Sequence, residues 1–154
     1  MLGRTYDDQV CSIARALEVV GERWSLLIVR DALLGLRRFD EFQGSLGIAR
    51  NVLTDRLNKL VEQDVFRRVR YQDRPARYEY RLTPMGEELF LPLLALMYWG
   101  DRHLAGEAGP PRVVEHAGCG GVVVERLTCS ACGETVPSGQ VRTRPGPALA
   151  KRFD

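Results

Sequence analysis

The sequence predicts an α+β fold, and three observations carry that expectation. Apolar residues recur at helical spacing from Val10 to Val61. The period then drops to two between Val69 and Leu82, as in a strand pair. Beyond a last long apolar stretch, three of the four cysteines crowd into the final quarter of the chain, the mark of a small separate module.

The elements follow in order. Residues 9–20 carry Val10, Ile13, Ala14, Leu17 and Val20 on one face, with Asp7 or Asp8 as candidate cap and Gly21 as terminator. Residues 22–34 are apolar nearly all round, so this helix is expected at the centre of the core. A short helix over 39–46 presents Phe39, Phe42 and Leu46. Gly47-Ile48 then leads tightly into a fourth helix over 49–63, with Leu53, Leu57, Leu60 and Val61 as its buried stripe. The opposite face of that helix offers Arg50, Asn51, Thr54, Asn58 and Lys59. Two helices joined by a short turn, the second polar on its free face, make a helix-turn-helix. Next, Val69 and Tyr71, then Tyr78, Tyr80 and Leu82, alternate with arginines around a turn at 72–76. The expectation is a hairpin wing with one apolar and one basic face. Thr83-Pro84 opens a helix running to about residue 103, with Thr83 as N-cap and a bend at Pro92. Because this helix is apolar almost all round, a second copy of the chain is expected to cover part of it.

The domain expectation is therefore a winged helix-turn-helix and dimerisation domain over 1–105, a linker over 106–112, a zinc-ribbon-like module over 113–141 and a tail over 142–154. In the 154 residues, hydrophobic residues make up 45% and charged residues 27%, as in ordinary globular proteins, and no apolar run is long enough to span a bilayer. With no secretory leader visible at the start, the reading is cytoplasmic. The net charge of +2 announces no partner, but six arginines stand against Asp73 and Glu79 between Phe66 and Leu82. His103 and His116 are the only histidines, and neither a Ser/His/Asp or Cys/His arrangement nor a phosphate-binding glycine loop is apparent, so an enzyme is not expected.

His116-x2-Cys119 and Cys129-x2-Cys132 have the spacing of two metal-binding turns. Three thiolates and one imidazole suit a closed structural Zn²⁺ site. A Cys129–Cys132 disulfide switch, or a tail of reduced thiols, are the competing readings.

Several motifs together resemble HxlR-type bacterial transcription regulators. They are Cys11-Ser-Ile-Ala-Arg-Ala-Leu-Glu-Val-Val-Gly-Glu-Arg-Trp24, Gly35-Leu-Arg-Arg-Phe39-Asp-Glu-Phe42, Leu53-Thr-Asp-Arg-Leu57-Asn-Lys-Leu60 and Tyr78-Glu-Tyr80-Arg-Leu82-Thr83-Pro84-Met-Gly86. The resemblance runs from Cys11 to Trp99 and implies a dimeric winged-helix regulator that binds double-stranded DNA. Two positions depart from the family pattern: Ser12 stands where a proline is common, and Ala49 where a serine is. The resemblance also makes Cys11 a candidate redox sensor, against the plainer reading of a buried small hydrophobe.

On the polar face of the fourth helix, Arg50, Asn51 and Thr54 are the candidate base readers, since Arg and Asn side chains can grip purine edges with two hydrogen bonds. Arg56 and Lys59 are candidate phosphate contacts or surface charges, and Arg37 and Arg38 before the third helix, with Arg74 and Arg77 on the wing, are candidate phosphate contacts. A symmetric homodimer would favour a near-palindromic site with half-sites one helical turn apart, about 34–36 Å. An interaction adaptor on the same scaffold, or a thiol-based redox protein using Cys129 and Cys132, are the rival readings.

Overall fold

The computed structural model describes Thr5, Tyr6 and residues 8–150, which fall into two compact units, one reaching Leu93 and the other starting at Leu94. The first unit begins with α1 (Ser12–Val20), α2 (Ser25–Leu33), α3 (Phe39–Leu46) and α4 (Arg50–Glu62). Strands β1 (Phe66–Asp73) and β2 (Ala76–Leu82) follow, then the single turn of α5 (Pro84–Glu87). Helix α6 (Phe90–Leu104) begins in this unit and ends in the next.

The core is built on α4. Leu53, Leu57 and Leu60 are fully buried, as the periodicity requires, and α4 packs against α1, α2 and β1. Ile28 and Val29 of α2, Phe42 of α3, Ile48 of the turn, and Val65 and Phe66 entering β1 close around that stripe. Phe42 meets Phe66 edge to face, with ring centroids 6.3 Å apart, a geometry that aromatic quadrupoles favour. Helix α3 follows the expected bounds, and α2 and α4 differ from theirs by a few residues at most. Helix α1 starts later than expected. Its N-cap is Cys11, not an aspartate; Asp8 precedes it and Asp7 lies outside the described residues.

The wing departs from the alternation read in the sequence. Phe66 pairs with Leu82, Arg68 with Tyr80 and Arg70 with Tyr78, while Val69 lies opposite Glu79. Directly opposed residues of an antiparallel pair share a face, so Tyr78 and Tyr80 lie with arginines rather than with Val69. There is no clean division into an apolar and a basic face. The register then shifts between Arg70 and Gln72, which leaves Tyr71 as the extra residue of a bulge. Arg38 adds a bridge to Glu79, and the Tyr80 amide donates to the Arg37 carbonyl at 2.7 Å, so the chain entering α3 is stitched to β2.

Where the wing returns to the helices, Thr83 ties three segments together. Its hydroxyl donates to the Asp64 carbonyl and accepts from the Gly86 amide, and its own amide donates to the Val65 carbonyl. The expected long helix breaks here. Glu88 and Leu89 form a turn between α5 and α6, which places Pro92 in the first turn of α6. Pro92 in that first turn removes no intrahelical hydrogen bond, because a first-turn residue needs no backbone donor.

In the second unit, a short 3₁₀ turn (Ser138–Gln140) and α7 (Pro147–Ala150) follow a stretch of two small hairpins. Arg102 of α6 pairs with Glu125 at 2.7 Å, and the Tyr98 hydroxyl donates to the Val123 carbonyl. Residues 106–112 lie within this second unit, which begins inside α6 at Leu94.

A Cβ built on Gly86 would lie 2.2 Å from the Val65 carbonyl oxygen, a clash only backbone movement relieves. Gly86→Ala is expected to lower stability in urea unfolding even though it adds one methyl. Phe42→Ala, which empties a fully buried site, is expected to cost about 3–5 kcal/mol; a change under about 1 kcal/mol in both would contradict this packing.

Candidate nucleic-acid interface

The exposed side of the helix-turn-helix is organised by arginines lying on aromatic rings. Arg50, the first residue of α4, sits over Phe39 at 4.8 Å. Arg38, the N-cap of α3, sits over Tyr71 at 4.8 Å. Arg68 sits over Tyr78 at 4.3 Å. A guanidinium on a ring face is held by the ring's quadrupole while its edge N–H groups stay available for an anion or a base. Arg38, Asp40, Arg50 and Arg77, with the rings of Phe39, Tyr71, Tyr78 and Tyr80, line an open cleft of about 460 Å³ between the start of α3, the start of α4 and the wing.

Sequence reading found Arg38, Arg50 and Arg77 but missed Phe39 and Tyr71 as the platforms of Arg50 and Arg38. Phe39 read as a core residue of α3, and Tyr71 as part of an apolar wing face. The bulge that brings Tyr71 under Arg38 leaves no periodic signal.

The entry to α3 is fixed by Glu41. Its Oε2 accepts from the backbone N–H groups of Arg37 and Arg38 at 2.8 and 2.9 Å, closing the helix start from within. Those two N–H groups, the Arg37 one first, hold the Glu41 carboxyl below its ordinary pKa, with the Arg38 charge adding a smaller pull.

The remaining candidates separate into two groups. Asn51 and Thr54 are exposed on α4, the Thr54 hydroxyl donating back to the Arg50 carbonyl at 2.8 Å. Arg37 is exposed but lines a separate cleft with Arg67, Arg81 and Glu87, and Arg74 lies at the wing tip, where Gln72 donates to its carbonyl. Arg56 and Lys59 are placed differently. Arg56 is only 16% exposed and pairs with Glu22 at 3.2 Å and Asp55 at 3.5 Å, while Lys59 reaches the same two carboxylates at 3.9 and 3.8 Å. These pairs tie α4 to the loop before α2; Arg56 is drawn in from solvent, whereas Lys59 and both carboxylates remain about half exposed.

The sequence model of the HxlR-like helix-turn-helix family matches residues 19–108. The chain belongs to that family. Among its relatives, an uncharacterised HTH-type transcriptional regulator of Mycobacterium tuberculosis is 48% identical over 142 residues, covering 92% of this chain and 90% of its own. Of solved structures, PA1607, a candidate transcription factor, superimposes with a TM-score of 0.82 at 35% identity, covering 91% of this chain and 98% of its own. The redox regulator HypR in its reduced form matches with a TM-score of 0.57 at 28% identity, over 60% of this chain and 92% of its own. The relatives' names are those of regulators, not enzymes.

The cysteines of this HxlR-like chain are all free thiols. Cys11 is partly buried at the N-cap of α1. His116 Nδ1 lies 3.2 Å from Cys119 Sγ. Cys129 accepts from the Cys132 and Ala131 N–H groups and then from the Cys132 thiol, which together lower its pKa. The four candidate ligands thus stand as two pairs. Among the described residues no group of three or more His, Cys, Asp or Glu side chains is gathered around a common point.

Because Glu41 has a depressed pKa in the folded protein, the stability it adds is present above the unfolded value of about 4.3 and is lost as pH falls through the folded one. NMR titration is expected to place the Glu41 carboxyl below the range of an unperturbed glutamate. The stability difference between the native protein and Glu41→Gln should be present at neutral pH and shrink in acid; a pH-independent difference would refute the assignment.

Proposed function

We propose that the protein is a transcriptional regulator that binds double-stranded DNA sequence-specifically as a homodimer in the cytoplasm. The observation that carries the reading is the ring-stacked pair Arg50 and Arg38 beside the wing. It puts Arg50 on the exposed start of α4, with Asn51 and Thr54 alongside, and Arg38 at the start of α3, where its Nε also lies 3.9 Å from a Glu79 carboxylate oxygen. A helix presented in this way enters the major groove with its N-terminal residues nearest the base edges. In this arrangement Arg50 and Asn51 read bases, whereas Arg37, Arg38, Arg74 and Arg77 contact phosphates and set the register. Arg56 and Lys59 stay with their carboxylates. The names borne by the relatives support the regulatory role, and no helix among the described residues is long and apolar enough to cross a membrane.

The homodimer is supported by apolar side chains left in water. On α1, Ile13 is 71% exposed; on α6, Leu91 is 67% and Leu104 72% exposed, and Leu96 and Trp99 are about half exposed. Apolar helix faces of this kind are covered in stable proteins, and a second copy is the occupant that a two-fold symmetric operator also requires.

The test is selection of fragments from sheared genomic DNA by the purified protein. Enrichment of near-palindromic sequences with half-sites about 34–36 Å apart is expected. On the selected site, Arg50→Ala should lose roughly 10- to 100-fold in discrimination between bases at one position. Arg77→Ala should weaken all sequences alike, and Arg56→Ala should chiefly lower stability. Absence of any enriched sequence, together with no binding to duplex at low salt, would leave the adaptor as the better reading.

Sedimentation at micromolar concentration is expected to give a dimer, and Leu91→Glu a shift toward monomer with weaker operator binding. A native protein that sediments as a monomer would remove the homodimer from the proposal.

A further inference from the structure

The two candidate metal-binding turns of the second unit have the same backbone, displaced by thirteen residues. The His116 amide donates to the Gly121 carbonyl at 2.8 Å, and the Cys129 amide to the Glu134 carbonyl at 3.0 Å. The Gly120 amide donates to the His116 carbonyl at 2.8 Å, and the Gly133 amide to the Cys129 carbonyl at 2.9 Å. Val123 donates to Val114, and Val136 to Leu127, both at 2.8 Å. The strand bridges, Glu115 with Val122 and Thr128 with Thr135, keep the same offset. Gly120 and Gly133 take left-handed φ values of 71° and 75°, which a Cβ would oppose. Sequence identity between the two turns is slight, so this repeat is a property of the fold. Each turn directs two metal-ligating side chains to one side of a tight hairpin.

A second observation concerns what holds these hairpins. Among the described residues from Ala105 to Leu149 none is buried, and Val113, Val122, Val124 and Leu127 are each about 60% exposed. A segment of that length without a core does not offset its chain entropy by apolar burial, and small modules of this kind rely on a cross-link. A Cys129–Cys132 disulfide would close only its own turn and leave the other hairpin unattached. A link between the hairpins must join one pair to the other.

We propose that His116, Cys119, Cys129 and Cys132 bind one structural Zn²⁺ that joins the two hairpins. The donor set of three thiolates and one imidazole fills a tetrahedral zinc shell and leaves no position for substrate. On binding, Cys119, Cys129 and Cys132 give their protons to solvent and form zinc–sulfur bonds, His116 coordinates as a neutral imidazole, and no redox change occurs. The side chains now standing as two pairs come together around the ion. The stretch between the pairs contains Val123 and Glu125, which contact Tyr98 and Arg102 of α6, so the metal also holds the segment that lies against that helix.

The experiment uses the full chain, expressed with zinc in the medium and purified without a metal-affinity tag. Elemental analysis is expected to give about one zinc per chain, falling to a small fraction of that in Cys119→Ser and in Cys129→Ser. Because those variants can lose structure for other reasons, the wild-type apoprotein is also titrated with Co²⁺. Tetrahedral d–d bands with thiolate charge transfer, saturating at one equivalent and displaced by Zn²⁺, are expected. Three thiols should resist a thiol reagent until a chelator is added. Well under half an equivalent of zinc together with a featureless cobalt titration would overturn the proposal, as would a Cys129–Cys132 disulfide in the freshly purified protein. None of these readouts involves DNA, so their outcome is separate from that of the regulatory reading.

Discussion

Burial of one leucine stripe governs the first unit. Leu53, Leu57 and Leu60 must leave water together, and the side chains that cover them come from α2, α3, the turn and the start of β1. Once that stripe faces inward, the geometry of a helix leaves little choice about what faces outward. Arg50, Asn51, Thr54 and Asn58 lie on the other side, and the exposed start of α4 is where the arginines gather. The Thr83 hydroxyl, bonded to Asp64 and Gly86, then fixes where the wing leaves and rejoins the core. The candidate interface is thus the complement of the core and no separate device.

That dependence explains what could be read from the sequence. The helices were legible because apolar spacing reports directly on burial, and α3 and α4 carry clean stripes. The wing was legible as a hairpin but not in its pairing. Alternation shows which residues of one strand share a face, whereas register across the strands depends on the turn and on the bulge at Tyr71. The split between α5 and α6 was invisible for a related reason. A stretch apolar on every side has no phase, so nothing marks the turn at Glu88 and Leu89.

Charge was harder to read than apolarity. The positions of Arg50 and Arg56 on α4 both place them near solvent, yet one stacks on Phe39 and the other is paired with Glu22 from a distant loop. Long side chains choose partners through tertiary proximity, which spacing along one helix does not encode. The cysteine turns show the opposite case. Their ligand spacing stands out in sequence, while their shared backbone is hidden because hydrogen bonds between main-chain groups leave almost no mark on residue identity.

The pairing of Arg56 and Lys59 with Glu22 and Asp55 bears on how such a protein would search as well as on how it would bind. Unpaired cations attract every phosphate in a genome equally, and a regulator rich in them spends its time held on irrelevant sequence. Here Arg56 and Lys59 in the later half of α4 pair with carboxylates, while Arg50 at its start stacks on Phe39. In a DNA-binding protein of the kind proposed above, that pairing would reduce attraction to random duplex without weakening the end proposed to face the bases, and Glu22 and Asp55 would act as a brake on indiscriminate residence.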